Sequence, residues 1–283
     1  MPLYVVATPI GNLEDLTPRA SRVLREAEVI YCEDTRHSRR LLDHIGARSP
    51  LRALHDHNED RQASAIADDV AAGKTIAMIS DAGTPCISDP GFALVRELRS
   101  RGLPVISIPG CSAVIAFLAA AGLPTDAFQF VGFAPRKQQA RVEALTAWLD
   151  SPMTTVLYES PNRVVELLDA LRSIEASRQV VVARELTKMH EEWIQGPVAQ
   201  VHATLAARDS VKGEIVLGIA GRAAVETSND DLQAWVDALA ATEMRTKEIA
   251  TLLAERLNVA SDDVYRRVLE ARSKTKNDRT GRS

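Results

Sequence analysis

Apolar positions along the chain fall in short runs, separated by longer stretches in which they recur every three or four residues. "LYVVA" (3–7), "EVIYC" (28–32), "PLRAL" (50–54), "TIAMIS" (75–80) and "PVISI" (104–108) have the length and β-branching of buried strands. The stretches between them carry helix punctuation. Thr17 is placed as an N-cap with Pro18 at the first helical position, and "SRRLLDHIG" closes on Gly46. "RQASAIADDVAAG" (61–73) ends on Gly73, a helix opened by Asp89 and Pro90 runs to Gly102, and another starts at Ser112. Strands that alternate with helices predict a parallel sheet with right-handed crossovers, here occupying residues 1–115.

The pattern continues with different detail from 116 to 224. Strands are expected at "FQFVG" (128–132), "TTVLYE" (154–159), "QVVVAR" (179–184), "EEWIQ" (191–195) and "EIVLGIA" (214–220), with helices at 137–150, 160–174 and 197–208. The strands crowd together after Arg184, which predicts some antiparallel pairing. "VETSNDD" (225–231) reads as a polar linker. A helical tail over 229–283 follows, in which Thr246 and Ser261 cap two short helices joined across "NVAS", a helix-turn-helix in outline. The fold class expected is therefore α/β, two such domains with a small C-terminal helical appendage.

Composition narrows the function classes. The 283 residues suffice for two ordinary domains, and a net charge of -4 argues against a protein that coats nucleic acid non-specifically. Cys32, Cys86 and Cys111 are too scattered for a disulfide framework or a zinc site, which favours a reducing compartment. "MPLYVVATPIG" lacks a basic n-region, and "AVIAFLAAAGL" is far short of a membrane span, so the expected location is cytoplasmic, with no membrane partner. His55 and His57 in "HDHNED" lack the further ligands a metal needs, and no metal is expected. Between Arg266 and Ser283 there are seven Lys or Arg against two acidic residues, either a solvated helix end or an extension of a basic track.

The densest chemistry lies in "SDAGTPCISDPG" (80–91), at the carboxyl end of a predicted strand, where open α/β sheets bind ligands. Gly83 permits positive φ and close approach to the backbone, and Pro85 and Pro90 stiffen the turn. Ser80, Thr84 and Ser88 offer hydroxyls, and Asp81 and Asp89 offer carboxylates. "AGKT" (72–75) is no phosphate loop, since its lysine precedes a strand, and no G-x-G-x-x-G occurs. The ligand expected is one not held by phosphates. "YCEDTRHSRR" (31–40) places Glu33, Asp34 and Arg36 at another strand end, where carboxylates can organise a hydroxyl and arginines can meet phosphate. Lys137, Arg163 and the "RELTKMHEE" stretch (184–192) supply further charges.

Seven blocks, "VATPIGNLEDLTPRA", "CEDTRHSRRLL", "SDAGTPCISDPG", "IPGCSAVIAFLAAAGLP", "FVGFAPRK", "YESPNR" and "RELTKMHEE", occur in the order of one family. The chain resembles the S-adenosylmethionine-dependent tetrapyrrole methylase superfamily, and within it the branch that methylates a cytidine 2′-hydroxyl of 16S rRNA in the small ribosomal subunit. The resemblance spans about residues 1–222. It implies two α/β domains with S-adenosylmethionine in the cleft between them, and a homodimer. Carried over, the cofactor contacts fall on Ser80, Asp81, Ala82, Gly83, Thr84 and Ile87, on Ser112 and Ala113, and on Tyr158 and Gly218. The "TPIGN" turn (8–12) is implied to border the substrate side.

Backbone N–H groups near Ser112 suit the methionine carboxylate, and an aspartate of the loop suits its ammonium. Glu33, Asp34, Glu185 and Lys188 are the candidate catalytic groups for moving the hydroxyl proton, Lys188 if burial depresses its pKa enough to leave it neutral. Arg36, Lys137 and Arg163 are candidate RNA contacts. Two rival readings are a tetrapyrrole C-methyltransferase, against which the helical tail and the "SDAGTP" loop speak, and a non-catalytic RNA-binding assembly factor, against which the acidic pI and the intact loop speak.

Overall fold

A computed structural model describes residues 1–55, 58–222, 229–257 and 259–280. They form two compact units, Met1–Gly221 and Arg222–Ser283. The first unit contains two five-stranded sheets.

The first sheet is parallel throughout, with β1 (Leu3–Val6), β2 (Val29–Cys32), β3 (Leu51–Ala53), β4 (Ile76–Met78) and β5 (Val105–Ile108) in the order β3-β2-β4-β1-β5. Its helices are α1 (Pro18–Glu26), α2 (Thr35–His44), α3 (Glu59–Ala71), α4 (Phe92–Ser100) and α5 (Ala113–Ala120). Thr17 caps α1 by accepting the Ala20 N–H, with Pro18 at its start, as the sequence predicts. Helix α2 begins earlier than the apolar pattern indicates, because Asp34 caps it by accepting the Arg36 and His37 N–H groups. Helix α4 begins later, because Gly91, at φ 120°, turns the chain into it and donates its N–H to Glu59 Oε2 at 2.6 Å. Both faces of this sheet are buried, with Leu3, Ile76 and Met78 packing with Leu94 of α4 on one side and Val6 and Ile30 with Leu24 of α1 and Leu42 of α2 on the other.

The second sheet is mixed. β6 (Phe128–Phe133) runs parallel to β7 (Thr154–Glu159), whereas β10 (Ile215–Ile219) lies antiparallel between β7 and β8 (Gln179–Arg184), and β9 (Glu192–Pro197) pairs antiparallel with β8. The crowding of strands after Arg184 is thus antiparallel pairing. Helices α6 (Gln138–Asp150), α7 (Val164–Ile174) and α8 (Val198–Ala206) pack on this sheet through a core that includes Leu157, Leu168, Leu171, Val201 and Leu217.

The second unit is three helices, α9 (Asn229–Ala240), α10 (Thr246–Leu257) and α11 (Ser261–Thr280), around Leu232, Val236, Ile249, Leu253, Val264 and Val268. Positions 225–228 of the expected linker lie outside the described residues, and Asn229 already opens α9. Arg272, counted in the basic tail, is committed inward: its guanidinium donates to the carbonyls of Ala240, Thr242 and Met244. No described helix is long and apolar enough to cross a membrane.

Candidate active site

Three loops leave the carboxyl ends of β1, β4 and β5 and are tied together. Thr8 and Gly83 form an antiparallel bridge, Thr8 N–H to Gly83 O at 2.8 Å and Gly83 N–H to Thr8 O at 3.1 Å. Thr84 Oγ1 donates to Cys111 O at 2.9 Å. Gly83 sits at φ 76°, and a Cβ there would press on Ile10 Cγ2 at 3.3 Å. The non-glycine residues Cys86 (φ 71°) and Ser88 (φ 63°) also lie in the left-handed region. Such conformations cost about 1–3 kcal/mol each and persist only where the surroundings impose them. The "SDAGTPCISDPG" loop is therefore held in one shape by its neighbours.

Above this floor is a cavity of about 400 Å³ that reaches from the first half of the unit to the second. Eight of the expected cofactor residues line it: Asp81, Ala82, Gly83, Thr84, Ile87, Ser112, Ala113 and Tyr158. Its far wall was not legible in the sequence and comprises Phe133, Glu159, Ser160, Leu186 and the stretch from Gly213 to Val216. Asp81, Asp89 and Glu214 bring acidic residues to the lining, which contains no Lys, Arg or His, while the Glu159 carboxyl is turned away to Arg163 and the Ser160 N–H. A cavity of that size and sign fits a sulfonium donor that also carries an ammonium, and does not fit a phosphate-rich nucleotide. Ser112 is the N-cap of α5 and makes no side-chain cap bond, and the Val114 N–H of the helix start faces the Tyr158 hydroxyl. Burial pushes the Tyr158 hydroxyl up to about 12 and the Cys86 thiol up to about 11, so both stay protonated at neutral pH.

A second cavity, about 270 Å³, shares Ile10, Asp81, Ala82 and Glu214 with the first. It is bounded by Thr8–Gly11, by His37, Ser38 and Arg40 of α2, by Ser80, and by Lys188. Ser80 thus faces this side rather than the first cavity, with its own Oγ bonded to Ala82 O at 3.2 Å.

Lys188 is the most constrained group here. Its Nζ donates to Glu185 Oε1 at 2.8 Å and to Glu214 Oε2 at 3.0 Å. Its stem crosses Gly11, where a Cβ would meet Lys188 Cε at 2.8 Å, and a Cβ on Gly213 would meet Glu185 Cδ at 2.7 Å. Both glycines leave room for this arrangement. The turn that carries it is bent, with Glu185 at φ 56° and the β-branched Thr187 at φ 66°. Burial alone lowers the Lys188 pKa, but the hydrogen bonds and charges of Glu185 and Glu214 outweigh it and the pKa is raised. Lys188 thus sits as the charged partner of two carboxylates, contrary to the expectation that burial would leave it neutral. The hydrogen bond from Lys188, with that from the Glu214 N–H, in turn lowers the Glu185 pKa, so this carboxylate is a fixed anion.

Other expected site residues are placed elsewhere. Asp34 is spent as the α2 cap, and its pKa is lowered by the Arg36 backbone and side-chain hydrogen bonds. Its own N–H donates to Asp81 Oδ1 at 3.1 Å. Glu33, half-buried after β2, lines neither cavity. Arg163 is a strut: it pairs with the buried Glu159 at 3.3 Å and donates to the Ala134 and Pro135 carbonyls. Burial raises the Glu159 pKa, so this wall needs the arginine's charge. Arg36 and Lys137 are exposed. Gly218 lines neither cavity; its bare Cα accommodates Phe117 and Leu123, which a Cβ would meet at 2.6 and 2.7 Å. Because β10 is antiparallel to β7 and β8, the end beside Glu159 and Arg184 is its first residue, Ile215, and Gly218 is at the far end opposite Val156 and Val181. The residue that belongs at the site is accordingly Glu214. Among the described residues no three His, Cys, Asp or Glu converge as metal ligands, and His57 lies outside them.

Residues 2–202 match the family described as Tetrapyrrole (Corrin/Porphyrin) Methylases. The chain is 42% identical to "Ribosomal RNA small subunit methyltransferase I" of Pseudomonas aeruginosa, over 96% of this chain and 98% of that one. It is 44% identical to the protein of the same name from Escherichia coli O157:H7, over 95% and 94% of the two chains. Among solved structures, the methyltransferase CobJ superposes with a TM-score of 0.59 at 20% identity, covering 79% of this chain and 95% of that one. The uroporphyrin-III C-methyl transferase of Thermus thermophilus, complexed with S-adenyl homocysteine, superposes with a TM-score of 0.55 at 18% identity, covering 77% and 97%. Identity of 42–44% over nearly the whole of both chains, together with the family match over residues 2–202, makes the chain a member of the ribosomal RNA small subunit methyltransferase I family within the tetrapyrrole methylases.

Proposed function

We propose that this chain transfers a methyl group from S-adenosylmethionine to the 2′-hydroxyl of a cytidine ribose in 16S rRNA of the small ribosomal subunit. The observation that carries the reading is the pair of cavities with a common wall. One is lined by the acidic residues Asp81, Asp89 and Glu214 with no basic residue, and suits a cationic donor; the other adds His37, Arg40 and Lys188 to its border and suits an acceptor flanked by phosphates. At about 270 Å³ the second cavity suits one nucleoside better than a tetrapyrrole macrocycle. The names of the relatives point the same way.

When bound, S-adenosylmethionine supplies a methyl group on a sulfonium that departs as a neutral thioether. The chain's task is alignment. The welded loops around Thr84 would hold the donor side, and the "TPIGN" turn with α2 the acceptor side, so that the two reactants are aligned where the cavities adjoin. Asp81 is set to take the donor's ammonium and the α5 start its carboxylate. Exposed Arg36 and Lys137 are set to meet RNA phosphates, which fixes register without reading sequence. The reading also places the protein in the cytoplasm, as a homodimer. Helix α5 is apolar on all sides and leaves Ile115 56% exposed, which favours a second copy as its cover; sedimentation equilibrium giving a monomer would remove that part. The central test is transfer of labelled methyl groups to small subunits from cells that lack this protein, with mass spectrometry of the RNA to fix nucleotide and atom. Labelled RNA with the methyl on a cytidine 2′-oxygen is the expected result, and no transfer, or transfer to a base carbon or nitrogen, overturns the proposal.

A further inference from the structure

We propose that Glu214 takes the proton from the acceptor hydroxyl during methyl transfer, held in place by Lys188 and Glu185; this rests on the methyl-transfer reading above. Glu214 stands where the two cavities meet, lining both, as does Asp81. Its backbone is anchored on both sides: its N–H donates to Glu185 Oε1 at 2.9 Å, and its carbonyl accepts the Glu185 N–H at 2.9 Å. Its side chain, in contrast, is 74% exposed. Oε2 accepts from Lys188 Nζ at 3.0 Å, and Oε1 has no hydrogen-bond partner among the described residues. A carboxylate with a fixed root, one oxygen oriented by an ammonium and the other open at the junction is arranged as a general base.

The alternatives are less suited. Lys188 carries its proton between two carboxylates and has no lone pair to offer. Glu185 Oε1 is occupied twice, by Lys188 and by the Glu214 N–H. Asp81 Oδ1 already accepts the Asp34 N–H, and its charge is matched to the donor's ammonium. The chemistry balances without a further reactant. The ribose oxygen forms the new O–CH₃ bond as the CH₃–S bond breaks, and that bond's electron pair stays on sulfur, which loses its positive charge. The hydroxyl proton passes to Glu214, which becomes a neutral carboxylic acid and later releases the proton to water.

The test compares wild type, Glu214→Gln, Glu214→Asp and Asp81→Asn as full-length proteins. S-adenosylmethionine affinity is measured by calorimetry, and kcat and KM are measured on small subunits lacking the modification. Glu214→Gln is expected to bind the donor within about threefold of wild type and to keep KM, while kcat falls by roughly 10²–10⁴-fold. Glu214→Asp, which keeps the carboxylate on a shorter stem, is expected to lie between the two. The proposal is overturned if Glu214→Gln turns over within about threefold of wild type, if it loses donor binding in step with kcat, or if Asp81→Asn alone shows the kcat-only loss. A wild-type protein that transfers nothing fails the underlying reading before any variant is made, so the two failures are distinguishable.

Discussion

Gly218→Ala separates a packing role from a donor-binding one. The new methyl group would lie 2.6 Å from Phe117 Cε1 and Cζ and 2.7 Å from Leu123 Cδ1. Ordinary carbon contacts need about 3.5–4 Å, so either the ring or the strand must move by nearly 1 Å. Neither yields easily. Phe117 is fully buried and stacks on Trp193 with ring centroids 5.6 Å apart, and β10 is hydrogen-bonded on both sides. Overpacking of this kind costs about 1–3 kcal/mol. For a unit of this size each kcal/mol is worth roughly 2–4 °C, which gives a fall in Tm of about 2–12 °C. Thermal unfolding of both proteins at one scan rate, followed by calorimetry with S-adenosylmethionine, reads the two effects apart. The expected outcome is a lower Tm with donor affinity within about threefold of wild type. An unchanged Tm with affinity lost tenfold or more would put Gly218 at the donor and refute the packing argument.

Three further outcomes follow from the same geometry. Asp34→Asn keeps an α2 cap and is expected to retain near wild-type kcat and Tm, whereas Asp34→Ala lowers Tm; a collapse of kcat in Asp34→Asn would restore Asp34 as a base. Glu192, held by Arg208 and Arg184, has its pKa lowered from 4.5 to about 2, so its stabilisation is present above pH 4.5 and lost as pH falls toward 2. After allowance for solvent screening, Glu192→Gln should be about 1–2 kcal/mol less stable at pH 7, a gap that closes in acid; denaturant midpoints that stay equally separated from pH 7 to pH 3.5 would contradict this. Arg163→Ala strands the buried Glu159 carboxyl and is expected to cost about 3 kcal/mol, while Arg163→Ala with Glu159→Gln costs less; an equal or greater loss in the double variant would show that the pair is not the source.

Local order was legible in the sequence because its causes are local. The β-branched runs at 3–7, 28–32 and 154–159 become β1, β2 and β7, and Thr17–Pro18 starts α1, since a strand or a cap is set by residues within one or two turns of each other. That the loop from Asp81 to Ile87 borders a cavity was legible, because the carboxyl ends of strands in open α/β sheets border such crevices. Asp34 misled because a carboxylate at a strand-to-helix junction looks the same whether it caps a helix or moves a proton. Gly218 was carried over from the family resemblance, and nothing in "EIVLGIA" states that this strand runs antiparallel, which sets Ile215 rather than Gly218 beside Glu159 and Arg184.

The sequence by itself determined the strands, the helices, the loop that floors the cavity and the family, all of which depend on residue type and short-range spacing. Tertiary structure alone decided that Thr8 bridges Gly83, that Lys188 lies across Gly11 between Glu185 and Glu214, and that β10 runs backwards to bring Glu214 rather than Gly218 to the junction. These are contacts between residues far apart in the chain. Each is set by strand direction and by the space that two bare glycines leave, and neither leaves a periodic signal in the order of the amino acids.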